Sequence, residues 1–233
     1  PAAIIALGVM KEGFITNLLE KMELFFYRKS KKLVMVTESF KENVIGRGID
    51  ASKVHVITNG VDNKLFYPQQ KSQKLIETYN LENKFVVSYV GAHGLSQNLS
   101  TIIEVAKILQ KDEGVVFLFV GEGAEKDLLK QLTKDYGLRN VQFIDAQNKS
   151  RIPDFYNTSD VCLIPLKSID LFDQFIPSKM FEIMACGVPI VASLRGEAAK
   201  ILTDSEAALV VEPDQPKEIA AAIEALRRDT QKY

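Results

Sequence analysis

From Phe85 onward the chain alternates short, almost wholly apolar runs with stretches of helical period, and this alternation restricts the fold more than any other feature. The runs at 85–90, 115–120, 141–144, 161–164, 189–192 and 207–211 are rich in Val, Ile and Phe and read as strands buried in a sheet. Between them, 98–110, 124–136, 152–158, 178–186, 197–202 and 216–228 space their apolar residues three and four apart, as amphipathic helices do. Six strands alternating with six helices predict an α/β fold, a Rossmann-like doubly wound parallel sheet with helices on both faces and right-handed crossovers. Such a sheet binds its ligand outside the carboxyl ends of the strands, where the strand order reverses. The loops that follow each apolar run are therefore the place to look for function.

Upstream the pattern differs. Ile15, Leu18, Leu19, Met22, Phe25 and Phe26 recur at helical spacing, and Arg28, Lys29, Lys31 and Lys32 follow where cations complement a helix dipole. Two readings stay open for that stripe: packing on the sheet of its own domain, or docking on an anionic membrane surface. Strands are expected at 33–37 and 54–58, with a helix at 38–47 closed by Gly48. The polar segment 63–84, helical around 75–79, reads as a linker. The organisation expected is thus 1–62 as the end of one domain, 63–84 as connector and 85–233 as a complete second domain. Pro1 stands where an initiator methionine would, which reads as a piece of a longer protein.

With 29 basic and 30 acidic residues the chain carries no electrostatic footprint for nucleic acid, so any anion must be held locally. Cys162 and Cys186 lack metal-ligand spacing, and no metal site is expected; two small buried thiols suit a reducing compartment. No apolar run approaches the ~20 residues of a membrane span.

The local means of holding an anion lie in Gln174–Ser193, which reads QFIPSKMFEIMACGVPIVAS. Pro177 suits the first turn of a helix and Ser178 can cap it. Lys179 and Glu182 then fall three apart on one helix face, and Gly187 ends the helix before the next strand. A helix amino end, a lysine and a carboxylate meet at one rim of the sheet. The first two favour a diphosphate, and Glu182 can accept hydrogen bonds from both hydroxyls of a ribose. Gly91 and Gly94, in the turn after the first strand of this domain, would let backbone amides approach phosphate oxygens, or serve as plain turn formers. His93 in the same loop reads either as a donor toward the diphosphate or as an exposed loop residue.

The PSKMFEIMACGVPIV segment resembles the signature of family 4 of the retaining glycosyltransferases, which have two facing Rossmann-like domains, the GT-B fold. ITNGVD from Ile57, YVG from Tyr89, FVGEG from Phe119 and SDVCLIPLK from Ser159 resemble the same family, in its order and spacing. The resemblance implies a UDP-sugar as donor with no obligatory cofactor, and a saccharide or lipid-linked acceptor delivered by the other domain. It also implies a cytoplasmic protein that builds surface polysaccharide or lipopolysaccharide, in peripheral contact with the membrane face. Gly121 and Gly123 would then lie beside the nucleoside, and the backbone at Ala146 would read the uracil edge. Glu182 matches one of two catalytic acidic positions in the motif, and counting back eight gives Gln174 at the other. Glutamine can hydrogen-bond a hydroxyl but cannot stabilise positive charge as a carboxylate can. Ala92 and Gln97 stand where many members carry phosphate-binding cations, which leaves Lys179 as the principal cation. Two alternatives remain open: a non-catalytic nucleotide-binding partner subunit, and a sugar-nucleotide epimerase of the same architecture. A nicotinamide dehydrogenase is disfavoured, because no Gly-x-Gly-x-x-Gly turn with a trailing acidic residue is present.

Overall fold

A computed structural model describes residues 2–228. In chain order the elements are α1 (Ala2–Ala6), α2 (Phe14–Lys29), β1 (Leu33–Met35), α3 (Glu38–Gly46), β2 (Val54–Val56), α4 (Gln73–Tyr79) and β3 (Phe85–Val90). There follow α5 (Leu99–Leu109), β4 (Val115–Val120), α6 (Lys126–Asp135), β5 (Val141–Ile144), α7 (Ile152–Thr158) and β6 (Val161–Pro165). The chain closes with α8 (Lys179–Ala185), β7 (Ile190–Ser193), α9 (Gly196–Asp204), β8 (Ala208–Val211) and α10 (Pro216–Arg228).

Six strands form one parallel sheet in the order β5-β4-β3-β6-β7-β8, and β1 and β2 form a separate parallel pair. The chain builds outward from β3 to β5, then crosses back to place β6 on the other side of β3. That reversal is the switch point of a doubly wound sheet. β3 matches β4 along all six residues, yet it meets β6 only at Val87–Val161 and Ser88–Cys162. The carboxyl ends of β3 and β6 are therefore unladdered and leave a crevice between them.

The core explains the apolar runs. Every residue of β4 is buried, and successive side chains go to opposite faces. Leu118 and Val120 join Phe155, Met180, Ile183 and Leu202 on one side of the sheet. Phe117 and Phe119 join Ile102, Leu129, Ile219 and Ile223 on the other.

The expected linker is corrected by the packing. Phe66, Leu75 and Leu81 are buried in the first of these cores. α4 is capped by the Ser72 side chain and closed by Asn80 in the left-handed region. Residues 63–84 are thus part of the body rather than a free connector. Elsewhere expected element ends move by at most two residues, as frayed termini do.

At the amino-terminal end, Leu33, Val44, Ile49 and Val54 make a small separate core, joined by Leu24 and Tyr27 of α2. Lys53 closes α2 by donating from its ammonium to the carbonyls of Tyr27 and Arg28, each at 2.9 Å. The apolar stripe of α2 does not pack on that core: Phe14, Ile15, Leu18, Leu19, Met22, Phe25 and Phe26 are all exposed. None of the helices described is long and apolar enough to cross a membrane. The small core touches the main body through the Phe40 and Phe175 rings, 5.6 Å apart, and through Ser39 and Glu197.

Asp214 joins the rim loops. One carboxylate oxygen accepts from Asn98 at 2.6 Å and the other from the Ser168 amide at 3.0 Å. The loops after β3, β6 and β8 are tied at this one residue.

Candidate functional site

α8 begins on the far side of the crevice from β3, and its first residue reaches across. The Lys179 ammonium lies 3.9 Å from the centre of the Tyr89 ring. A Cβ added at Gly91 would stand 2.6 Å from the same nitrogen. Only a glycine there lets the lysine settle over the end of β3. Burial lowers the lysine pKa from its ordinary value to about 7, with the negative charge of Glu182 among the influences opposing the shift. The cation therefore sits at the switch point, on an aromatic face.

Three residues on, Glu182 is half-buried, and its Oε2 accepts a hydrogen bond from the buried Tyr156 hydroxyl at 3.3 Å. Desolvation raises the Tyr156 pKa, which keeps the hydroxyl protonated as a donor. Tyr156 lies in α7, packed beneath the crevice, so the carboxylate is oriented from below.

The helix amino end is less open than the sequence implies. Ser178 is exposed, already helical in conformation, and makes no capping hydrogen bond. The amides of Met180 and Phe181 donate to the carbonyls of Pro177 and Ser178 at 3.1 and 3.2 Å. That tightened first turn uses two of the donors an anion would otherwise meet. Lysine charge, more than a free helix terminus, is what this rim offers.

The glycine loops pack on one another. The Gly91 amide donates to Val120 and the Gly121 amide to Ile144, each at 2.9 Å. A Cβ at Gly121 would fall 2.0 Å from the Gly91 carbonyl oxygen, and one at Gly123 would meet the His93 backbone. These two glycines are demanded by the contact between neighbouring loops, and the Gly91 amide is not free for phosphate. Gly94 faces the Gln97 side chain, 2.9 Å from where its Cβ would be.

His93 is wholly buried rather than exposed on the loop or turned outward to a ligand. Its ring packs among Tyr89, Phe119 and Phe143 at 5.9, 6.2 and 6.4 Å. Neither ring nitrogen has a partner among the described residues. Burial first, then the charges of Lys126, Lys179 and Lys130 against that of Glu122, lower its pKa to about 4. It is a neutral imidazole in the floor of the site.

Ala146 is exposed immediately after β5. The Gln147 side chain donates to the Asp145 carbonyl at 3.0 Å, and the Asp145 carboxylate accepts from Lys126 at 2.7 Å. Gln174 ends the 3₁₀ turn Asp170–Gln174, with its Oε1 buried and lacking a donor. The same turn borders a groove of about 900 Å³ lined by Glu12, Thr16, Asn17 and Phe40 among others. Arg195 pairs with Glu212 at 2.7 Å on the surface, so its charge is engaged there.

Lys179, Gly91 and Glu182 thus gather about the crevice, and Ala146, Gly121 and Gly123 lie in the adjoining rim loops. The sequence assigns no role to the side chains of Tyr89, which opens one of the motif segments, or of Tyr156 and Lys126. An aromatic in a buried strand and a lysine in a first helical turn look like core and surface, and nothing local announces their partners.

Two family models match the sequence: "Glycosyl transferases group 1" over residues 70–233 and "Glycosyltransferase Family 4" over residues 9–65. WcaI of Escherichia coli (strain K12), whose name assigns it to colanic acid biosynthesis, is 32% identical over 145 residues, covering 61% of this chain and 35% of WcaI. The capsular polysaccharide biosynthesis glycosyltransferase CapM of Staphylococcus aureus is 24% identical over 93% of this chain and 56% of its own. Anabaena Alr3699/HepE, solved with UDP-glucose, superposes with a TM-score of 0.76 at 22% identity, over 91% of this chain and 58% of that one. The chain therefore spans between about a third and three-fifths of the length of these proteins.

Proposed function

Because the chain belongs to the glycosyl transferases group 1 family, we propose that it carries the donor-binding half of a retaining glycosyltransferase that uses a UDP-sugar. One observation carries the reading: Lys179 places its ammonium at the switch point, one helical turn from a carboxylate oriented by Tyr156. A diphosphate in the crevice would draw the ammonium from the Tyr89 ring, and the ribose hydroxyls would donate to Glu182. The loop at Ala146 would meet the uracil edge. HepE, which has the same fold and was solved with UDP-glucose, supports a nucleotide sugar as the donor.

The chemistry would be cleavage of the anomeric bond, with Lys179 neutralising charge that grows on the departing diphosphate. Gln174, with a buried oxygen awaiting a donor, would accept from a sugar hydroxyl. The groove beside it would admit the acceptor, a saccharide or lipid-linked saccharide; the names of two relatives, which place them in colanic acid and capsular polysaccharide biosynthesis, support a polysaccharide product. The protein would work in the cytoplasm, against the inner membrane face.

Calorimetry with UDP on this chain tests the reading. Binding that disappears in Glu182→Ala supports it, and unchanged affinity in that variant ends it. Gln174, an amide where the motif has a carboxylate, favours a second reading as a non-catalytic nucleotide-binding partner subunit. UDP release by the full-length protein in the presence of an acceptor separates the two.

A further inference from the structure

The loops after β4 and β5 carry two carboxylates, and one buried lysine binds both. Lys126, the first residue of α6, is 4% exposed, and its ammonium lies 2.5 Å from Glu122 Oε1 and 2.7 Å from Asp145 Oδ1. The carboxylates themselves stand largely in solvent, with Asp145 at 85% side-chain exposure. A surface ion pair usually contributes little to stability, since it exchanges water for a partner at some entropic cost. Here the buried member is the lysine, whose ammonium has given up water to engage both loops. The arrangement governs what the rim shows to a ligand more than it stabilises the fold.

The chemistry of the bases gives that a consequence. Uracil presents an acceptor, one N–H and an acceptor along its pairing edge, which backbone groups can match without side-chain charge. Guanine presents an N–H and an exocyclic amino group side by side, two donors that a free carboxylate accepts well. Asp145 is the residue before Ala146, at the mouth of the loop proposed to meet the base. With Oδ1 of its carboxylate held by the Lys126 ammonium and its carbonyl accepting from Gln147, it leaves only Oδ2 open, its charge partly balanced by the lysine, and cannot present both oxygens side by side to the two guanine donors. We propose that Lys126 is a specificity-determining residue, which selects uracil over guanine nucleotides by engaging the Asp145 and Glu122 carboxylates. Discrimination then comes from withholding an attraction rather than from adding a clash.

The inference rests on the donor reading above, and the experiment separates the two. UDP, GDP and inorganic pyrophosphate are titrated calorimetrically into the unaltered chain, into Lys126→Met and into Lys126→Met/Asp145→Asn, with melting curves recorded for each. The expected result is a preference for UDP over GDP that falls by about tenfold in Lys126→Met and returns in the double variant, while pyrophosphate affinity is unchanged. A parallel fall for all three ligands assigns Lys126 a merely structural role and overturns the proposal, as does an unchanged preference. If Lys126→Met does not fold, Lys126→Arg and Asp145→Asn decide. The first must keep the uracil preference and the second must not acquire GDP affinity, and failure of either overturns the proposal. An unaltered chain that binds no UDP removes the donor reading itself and the inference with it.

Discussion

The Lys179 ammonium rests 3.9 Å from the centre of the Tyr89 ring, reached from a helix on the opposite side of the switch point. It has left water for an aromatic face, and its pKa has fallen to about 7 as a result. An unfolded chain keeps this proton up to about 10.4. Between those values the folded state binds fewer protons, so this group's contribution to stability rises with pH from about 7 to about 10.4. Below pH 7 the folded state bears the full cost of a buried charge.

A diphosphate beside the ammonium would restore its proton. UDP binding at about pH 8 is therefore expected to take up a proton, with affinity falling by up to tenfold per pH unit above 7. Calorimetry in two buffers of different ionisation enthalpy measures the uptake. In Lys179→Arg, which stays charged throughout, the buffer dependence should vanish. Equal enthalpies for the unaltered chain in both buffers would contradict the account.

Tyr156→Phe removes the hydroxyl that donates to Glu182. A loss of about 1 kcal/mol in unfolding free energy is expected, the ordinary worth of such a bond. UDP affinity should fall about threefold at the same time, because the carboxylate is no longer held for the ribose. Loss of stability with unaltered affinity would show that the tyrosine serves the core alone.

Gly121→Ala places a Cβ within 2.0 Å of the Gly91 carbonyl, at a backbone φ of 143°. Neither strand end can yield, since both belong to the central sheet. Destabilisation of about 3 kcal/mol is expected from thermal or denaturant unfolding. Gly137→Ala, at a positive φ but with open space around it, should cost about 1 kcal/mol. The contrast sets a glycine required by both loop contact and a φ of 143° against one required only by a left-handed turn.

Gln174→Met removes a buried oxygen that has no donor. Stability should hold or rise by up to about 1 kcal/mol, because an unmet acceptor is a cost in the empty state. Transfer by the full-length protein should nevertheless fall about tenfold in kcat/KM. A fall in both would mark Gln174 as structural.

What the sequence conveyed follows from the range of the forces involved. β4 was legible because six consecutive buried apolar residues admit few other readings. Residues 63–84 were misread because their three anchors, Phe66, Leu75 and Leu81, are scattered among charged neighbours and bury against partners far along the chain. Ser178 was expected to cap α8 and does not, since a serine's conformation is set by how the preceding turn enters the helix. Lys179 and Glu182 could be placed by their helical spacing. Their companions Tyr89 and Tyr156 could not, because those contacts join residues far apart in the chain that meet only once the sheet and its helices are assembled. Lys126 is the sharpest case: one of its carboxylates lies four residues back and the other 19 ahead, joined only once β5 takes its place beside β4.

Asp214 fastens the loops that follow β3, β6 and β8 at a single carboxylate. A rim fastened in this way has little freedom to reshape itself locally, since moving one segment drags two others with it. The turn that bears Gln174 belongs to the loop after β6, so a displacement at the nucleotide end of the site would be passed along the same fastening to the sugar end, and the two would adjust together.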